Sequence, residues 1–227
     1  MNVKRQKAYL KLIQVLLNSP DEQKTEILVA NQGLFDADFL KTVEAQTEIA
    51  FQQEDKNRVS FLRNLHSYLK GWFCWHFLNE VLEITASSQG KVQVVLALLE
   101  TNIEKLDYSL LEALQEWTIS ALEEAEPDRA LSIAEVVINF CSVIQEFHLG
   151  DRSCNIEIAI AGYEVVLTVI NRISSLNGWA IVQNNLAKAY FNRIQGDKAE
   201  NLELAIQYYT QALEVFTRDT SPTMWAS

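Results

Sequence analysis

Glycine, proline and cysteine are all scarce in this 227-residue chain, at seven, three and three copies. So few turn-forming residues argue against a loop-rich β fold and for long helices with short connections. Three cysteines without paired spacing offer neither a disulfide framework nor a zinc-finger pattern, and they suit a reducing, cytoplasmic setting. No apolar run approaches the roughly 18–20 residues that span a bilayer. The first 17 residues carry helical periodicity rather than the pattern of a cleavable signal. Positive charge is short too: 19 Lys and Arg face 30 Asp and Glu, a net charge of −11. Acids gather in the middle, at Glu123, Glu124, Glu126, Asp128, Glu135, Glu146, Asp151, Glu157 and Glu164, relieved only by Arg129 and Arg152. Nucleic-acid binding draws on a basic stripe that displaces counterions, and none stands out. Neither a nucleic-acid nor a membrane partner is expected, and the acidic surface reads first as a solubility device.

What remains is helix-forming sequence, 48% hydrophobic. Residues 3–17 place Tyr9, Leu10, Ile13, Leu16 and Leu17 on one stripe. Ser19-Pro20-Asp21-Glu22 reads as a capped start of a helix that ends at Gly33. Asp36 caps a third helix with Phe39, Leu40, Val43, Ile49 and Ala50 inward. A fourth follows Glu54-Asp55, with Val59, Phe61, Leu62, Leu65 and Leu69 buried. Gly71 to Leu78, the most aromatic stretch, opens a further helix. Others are expected near 91–102, 108–124, 127–147, 155–173, 178–194 and 201–216. Nothing alternates with period two for long enough to insist on a strand. The chain is expected to be all-α, with about ten to eleven helices.

Two internal repeats organise these helices. Asn155-Ile156-Glu157-Ile158-Ala159-Ile160 returns 46 residues on as Asn201-Leu202-Glu203-Leu204-Ala205-Ile206. Gly150-Asp151-Arg152 returns as Gly196-Asp197-Lys198, and Trp179-Ala180 as Trp225-Ala226, at the same offset. A fainter repeat, offset by 71, matches Asn31 with Asn102, Asp36 with Asp107, Phe39-Leu40 with Leu110-Leu111, and Val43 with Leu114. The expected organisation is a unit over 1–70, a related one over 71–150, and 46-residue repeats over 151–227 with the last one cut short. Periods of this size in helical sequence mark stacked hairpins, each burying its apolar face on its neighbours.

The 46-residue unit carries Leu186-Ala187-Lys188-Ala189-Tyr190 on its first helix and Ala205, Tyr209 and Ala212 on its second. This pattern resembles the tetratricopeptide repeat, in which small residues sit where paired helices cross and aromatics fill the holes between. The resemblance implies a right-handed solenoid of helical hairpins. The steric reason is general: helices approaching to about 8–9 Å leave no room for a branched side chain at the crossing. In the preceding repeat the places fall to Cys141, Ala159, Tyr163 and Val166. The period departs from the 34 residues usual for that family. The wording from Arg193 to Ile206 is similar to the repeat arrays of cyanobacterial proteins that end in a CHAT domain, a caspase-like protease. That resemblance implies a fragment of a longer protein, a sensor or docking arm for an absent effector.

No constellation suggests chemistry. Cys74 and His76 lie about 200° apart on a helix and cannot easily share a metal. Cys141 and His148 share a face but sit about 10 Å apart along the axis. Cys154 is expected at an exposed helix start. No catalytic, cofactor or metal residue is assigned. The resemblance places a ligand groove on the first helix of the best repeat, where Asn184, Lys188 and Asn192 face away from the packing residues Leu186 and Tyr190. Asn can hydrogen-bond a peptide backbone and Lys can hold a carboxylate. The matching places one repeat earlier are Ile138, Ser142 and Glu146. The expected function is a non-enzymatic scaffold for a protein or peptide partner; the alternative is a module whose main role is homo-oligomerisation.

Overall fold

The computed structural model describes residues 3–88 and 91–219. Trp225 and Ala226 lie outside them. The described residues are all-helical, with ten α-helices, two 3-10 turns and no strand. They form two compact units, the first ending at Phe73 and the second beginning at Cys74.

The first unit holds α1 (Val3–Asn18), α2 (Asp21–Ala30), a 3-10 turn (Gln32–Leu34), α3 (Ala37–Gln52) and the first part of α4 (Lys56–Ser87). Its core is built from Tyr9, Ile13, Leu16, Phe39, Val43, Leu62 and Leu69. The Asp36 carboxylate caps α3 by accepting from the Phe39 N–H at 2.9 Å, as its position before an apolar stripe predicts. It also accepts from the buried Tyr9 hydroxyl at 2.6 Å and from Arg5 Nε at 2.8 Å, tying α1 to the start of α3. Ile49, expected inward, is exposed.

Two helix boundaries differ from expectation. Ser19 does not cap α2: its hydroxyl donates back to the Val15 carbonyl at 2.8 Å, and Pro20 holds the cap position with no side-chain bond. Gly71 does not open a helix either, because α4 runs through it for 32 residues. A Cβ there would meet nothing within 4 Å, so the glycine is neither a hinge nor a close approach. The aromatic run divides by face: Trp72 and Phe73 pack on the first unit's core, Phe77 is buried in the second, and Trp75 is exposed.

The second unit holds the rest of α4, α5 (Val92–Glu100), a 3-10 turn (Ile103–Lys105), α6 (Tyr108–Glu123), α7 (Pro127–Glu146), α8 (Arg152–Val166), α9 (Leu176–Asn192) and α10 (Lys198–Leu213). The 71-residue offset holds for element boundaries as well as for residues. The 3-10 turns, both ends of α3 and α6, and the starts of α4 and α7 all differ by 71. Buried residues follow: Leu28 and Leu99, Phe35 and Leu106, Phe39 and Leu110, Leu69 and Phe140. Asn31 and Asn102 each donate a side-chain N–H to a carbonyl four residues back. Helix α1 has its counterpart in the second part of α4, with Tyr9, Leu12, Ile13 and Leu16 answered by Leu78, Val81, Leu82 and Thr85. That offset is 69, and the two-residue difference lies in the longer connection before α5.

The 46-residue repeat is equally physical. Helices α7 and α9 end 46 residues apart, and α8 and α10 start 46 apart. Between them Gly150 and Gly196 hold φ of 75° and 76°, a left-handed conformation that side chains resist. Asp151 and Asp197 follow and cap the next helix, each accepting from the N–H groups two and three residues on. Asn155 and Asn201, expected to begin these helices, lie inside the first turn; their buried amides donate to the carbonyls of Leu149 and Gln195. Helix α8 ends at Val166, well short of residue 173, and Ile173 is 98% exposed. The sequence pattern divides this unit at 150, but α8 packs on both α6 and α7, so the two stretches share one core.

The small-residue crossings take the expected form. Ala187, Ala205 and Ala212 are buried, as are Leu186, Tyr190, Cys141, Ala159 and Tyr163. Tyr190 stacks on Tyr208 at 5.5 Å between centroids, and Tyr209 is only half-buried. A close crossing lies at Gly162, where an added Cβ would stand 2.3 Å from Cys141 Sγ and 3.2 Å from Leu114. No described helix is long and apolar enough to cross a membrane.

Candidate partner-binding site

Helix α7 presents Glu135, Asn139, Ser142 and Glu146 to solvent at helical spacing. A hollow lies on each side of this strip. One, of about 380 Å³, is bounded by Leu131, Glu135, Ile138 and Asn139 of α7 and by Asn177 and Ile181 of α9. The other, of about 330 Å³, lies between Val92, Val95 and Leu96 of α5 and Asn139, Ser142 and Glu146 of α7. Asn139 lines both.

The floor between α7 and α9 is polar but closed. Tyr163 rises from α8 with no exposed surface, and its hydroxyl donates to Gln145 Oε1 at 3.1 Å. Burial, with the Cys141 thiol beside it, pushes the Tyr163 pKa well above the ordinary value, against the pull of the Ser142 and Asn185 side chains. Tyr163 is therefore a neutral structural phenol.

The three groove residues chosen from the sequence share α9 but differ in state. Lys188 Nζ sits 2.7 Å from Glu146 Oε1, so its charge already has a carboxylate partner. Both side chains are about half exposed, and a pair so wetted holds together weakly. Asn192 donates its amide to the Lys188 carbonyl at 2.9 Å, leaving its side-chain oxygen as an acceptor. Asn184 is half-buried. Sequence reasoning placed Ile138, Ser142 and Glu146 on the matching face of α7, and the structure brings Glu146 against Lys188 itself. It missed Asn139, Asn177 and Ile181, whose positions between α7 and α9 depend on how the hairpins stack.

A second network escaped the sequence reading altogether. Glu157, counted with the acidic surface, is buried and receives Arg193 through Nε at 2.8 Å and through the second guanidinium nitrogen at 2.7 Å. Arg193 also lies over the Tyr190 ring, whose hydroxyl donates to Glu164 at 2.8 Å. Gln195 of the same loop hydrogen-bonds Tyr108 and Ser153. These contacts clamp the α9–α10 loop onto α8 and the start of α6.

The cysteines are all free and buried. Cys154, expected to be exposed, is 2% exposed, because the first turn of α8 packs into the shared core. Burial raises its pKa to about 11, helped by Asp151 and Asp107, and raises Cys74 to about 12. Among the described residues no group of three His, Cys, Asp or Glu side chains is placed to hold a metal. Comparisons with known protein families, with curated proteins and with solved structures return no match.

Proposed function

We propose that this chain is a non-enzymatic helical-repeat scaffold that binds a protein or peptide along the α5–α7–α9 face. The observation that carries this reading is the pair of hollows that share Asn139, with apolar walls and side-chain amides between them. Apolar hollows take side chains, while amides that both donate and accept can follow a peptide backbone. The Lys188–Glu146 pair can open to meet a ligand charge of either sign at little cost. The hairpins would stack as a right-handed solenoid of the tetratricopeptide kind, in a cytoplasmic setting that suits three unpaired thiols. In a longer protein of the CHAT-associated type the stack would serve as a docking arm. The test is affinity capture from the native host with the wild-type chain and an Asn139→Ala/Lys188→Ala variant. A partner retained by the wild type and lost by the variant supports the reading; equal retention by both removes it.

The outer stripe of α10 favours a second reading. Leu202, Ile206, Tyr209 and Leu213 are exposed or half-exposed, with Ile206 65% exposed. The counterparts of the first three on α8, Ile156, Ile160 and Tyr163, are fully or nearly fully buried, and that of Leu213, Leu167, is half-buried. A second copy of the chain would cover such a stripe. Light scattering over a dilution series decides: a concentration-dependent mass that Ile206→Glu abolishes supports self-association, and a constant monomer mass excludes it.

A further inference from the structure

Since α4 (to Phe73) and α7 occupy matched places in the duplicated units, the surface under α8 has a counterpart in the first unit. On α7 the seat of α8 is a small apolar stripe, Ala130, Ala134, Val137 and Cys141, with Leu114 and Leu122 of α6 beside it. The last turn of α8 and the turn after it press Val165 and Val169 into the hollow at Leu122 and Ala130. Seventy-one residues earlier the stripe reads Val59, Arg63, His66 and Lys70, and its neighbours are Val43 and Phe51. Among the described residues of the first unit no helix folds back there, because α4 continues where α7 ends and α8 turns.

The hollow nevertheless persists. It measures about 640 Å³ and is lined by the apolar Phe51 and Val59, by the cations Lys56 and Arg63, and by Glu54 and Ser60. Phe51 is 63% exposed, where its counterpart Leu122 is buried. Lys56, Arg63 and Lys70 recur every seven residues, which aligns them within about 40° around α4 over roughly 21 Å. None of the three is in an ion pair among the described residues. Acids also border the face: Glu44 of α3 holds His66 at 2.9 Å, Glu48 of α3 bonds Gln52, and Glu54 and Asp55 sit in the turn before α4. The acids lie on α3 and the turn, while the cations line α4.

We propose that this face of the first unit is a docking site for an acidic amphipathic helix of a partner protein, seated as α8 is seated in the second unit. Two aliphatic side chains four residues apart fill the hollow over Phe51 and Val59, as Val165 and Val169 do at Leu122 and Ala130. Carboxylates on the preceding turns meet Arg63 and Lys70, which replace the Ala134 and Cys141 that accept only small neighbours. The helix C-terminus, with its partial negative charge, then falls beside Lys56 and Arg63, where the second unit has Pro127 and Ala134. The hollow over Phe51 and Val59 takes aliphatic side chains, which a nucleic-acid backbone does not offer.

The probe is a fluorescein-labelled synthetic peptide of residues 152–169 carrying Gly162→Glu and Val166→Glu, titrated with the full chain by anisotropy. A control peptide has Lys at both positions. Saturable binding of the Glu peptide is expected, at least tenfold tighter than the Lys peptide. It should weaken at least tenfold in an Arg63→Glu/Lys70→Glu variant and on raising salt from 50 to 300 mM. Phe51→Ser should weaken it with no change in salt dependence. Circular dichroism checks that both variants, altered only at exposed positions, keep their helix content. Absence of binding, or binding unaffected by charge reversal, overturns the proposal. Self-association of the free chain that Arg63→Glu/Lys70→Glu abolishes assigns the face to a second copy, and overturns it as well.

Discussion

The two units share one helical plan but treat one face in opposite ways. In the second unit α7 ends at Glu146, a glycine turn reverses the chain, and α8 settles on Ala130, Ala134, Val137 and Cys141. In the first unit the same helix carries Val59, Arg63, His66 and Lys70 and continues without a turn as α4. Core positions elsewhere are matched in both, so the backbone plan does not depend on whether a further helix stacks. What decides is a single stripe of side chains and the presence of a turn such as Gly150-Asp151. Small apolar residues admit a helix at close range; long cations keep the face wet unless something acidic is brought to it.

The largest expected effect sharpens this contrast at its tightest point. Gly162→Ala drives a methyl group into Cys141 Sγ, Leu114 and Val137, at 2.3, 3.2 and 3.4 Å. It should cost about 1–3 kcal/mol through overpacking. Chemical denaturation reads the loss, and adding Cys141→Ala should restore part of it. An unchanged midpoint would mean that α8 is not seated as described.

In the first unit the comparable anchor is polar. Tyr9→Phe removes the hydroxyl that donates to Asp36 and accepts from Arg5, and should cost about 1–2 kcal/mol. Burial raises the Asp36 pKa, but the bonds from Tyr9, the Phe39 N–H and Arg5 outweigh it and hold the carboxyl below its ordinary value. Its contribution is therefore complete above about pH 4 and fades as the pH falls through the lowered folded value. Melting temperatures at pH 7 and pH 3 should differ less in Tyr9→Phe than in the wild type.

Alkali acts mainly on the other unit. Burial raises the pKa of Cys74, Cys154, Tyr163 and Tyr190, all in the second unit, against Tyr9 in the first. The folded state favours their neutral forms, so stability is complete below the ordinary thiol range near pH 9 and declines as pH rises toward the raised values. The fall in melting temperature between pH 8 and 10.5 should shrink in a Cys154→Ala/Tyr163→Phe variant. A fall of the same size would place the alkaline sensitivity elsewhere.

Gly71→Ala should have the opposite sign to Gly162→Ala. With nothing within 4 Å of the new methyl, the helix should gain about 0.5–1 kcal/mol. The smallest effect belongs to Lys188→Ala. Its half-exposed pair with Glu146 should contribute less than about 0.5 kcal/mol. Loss of partner capture without loss of stability would mark Lys188 as part of the binding face.

Much of the fold was readable because its signals are local. Asp36 before an apolar stripe, the recurring Gly-Asp turns and the small residues at 187, 205 and 212 each carry their reason within a few positions. The misreadings came from residues whose role is set across the fold. Gly71 looks like punctuation, yet lies in the open face of a long helix. Asn155 and Asn201 look like helix starts, but they lie inside the first turn and their amides serve the loop before them. Cys154 aligns with the exposed Glu200 and is buried because, among the described residues, α8 packs on α6, α7 and α9 while α10 packs mainly on α9. Gly162 was visible as a glycine, but only the approach of Cys141 shows why it is one. The candidate site was half legible: the α9 face could be drawn from periodicity, whereas the share of α5 and α7 required the stacking.

The Gly-Asp turn satisfies its own backbone. Glycine supplies the reversed conformation, aspartate takes the free N–H groups that follow, and asparagine takes the carbonyls that precede. Because its backbone bonds close within a few residues, it works as a coupling piece. A gene that gains or loses one 46-residue cassette between two such turns keeps these local bonds, while the clamp from Arg193 and Gln195 to Glu157, Ser153 and Tyr108 has to be met by whichever repeat precedes it. Arrays of different length, natural or engineered, are then reachable by recombination wherever the preceding repeat supplies those partners.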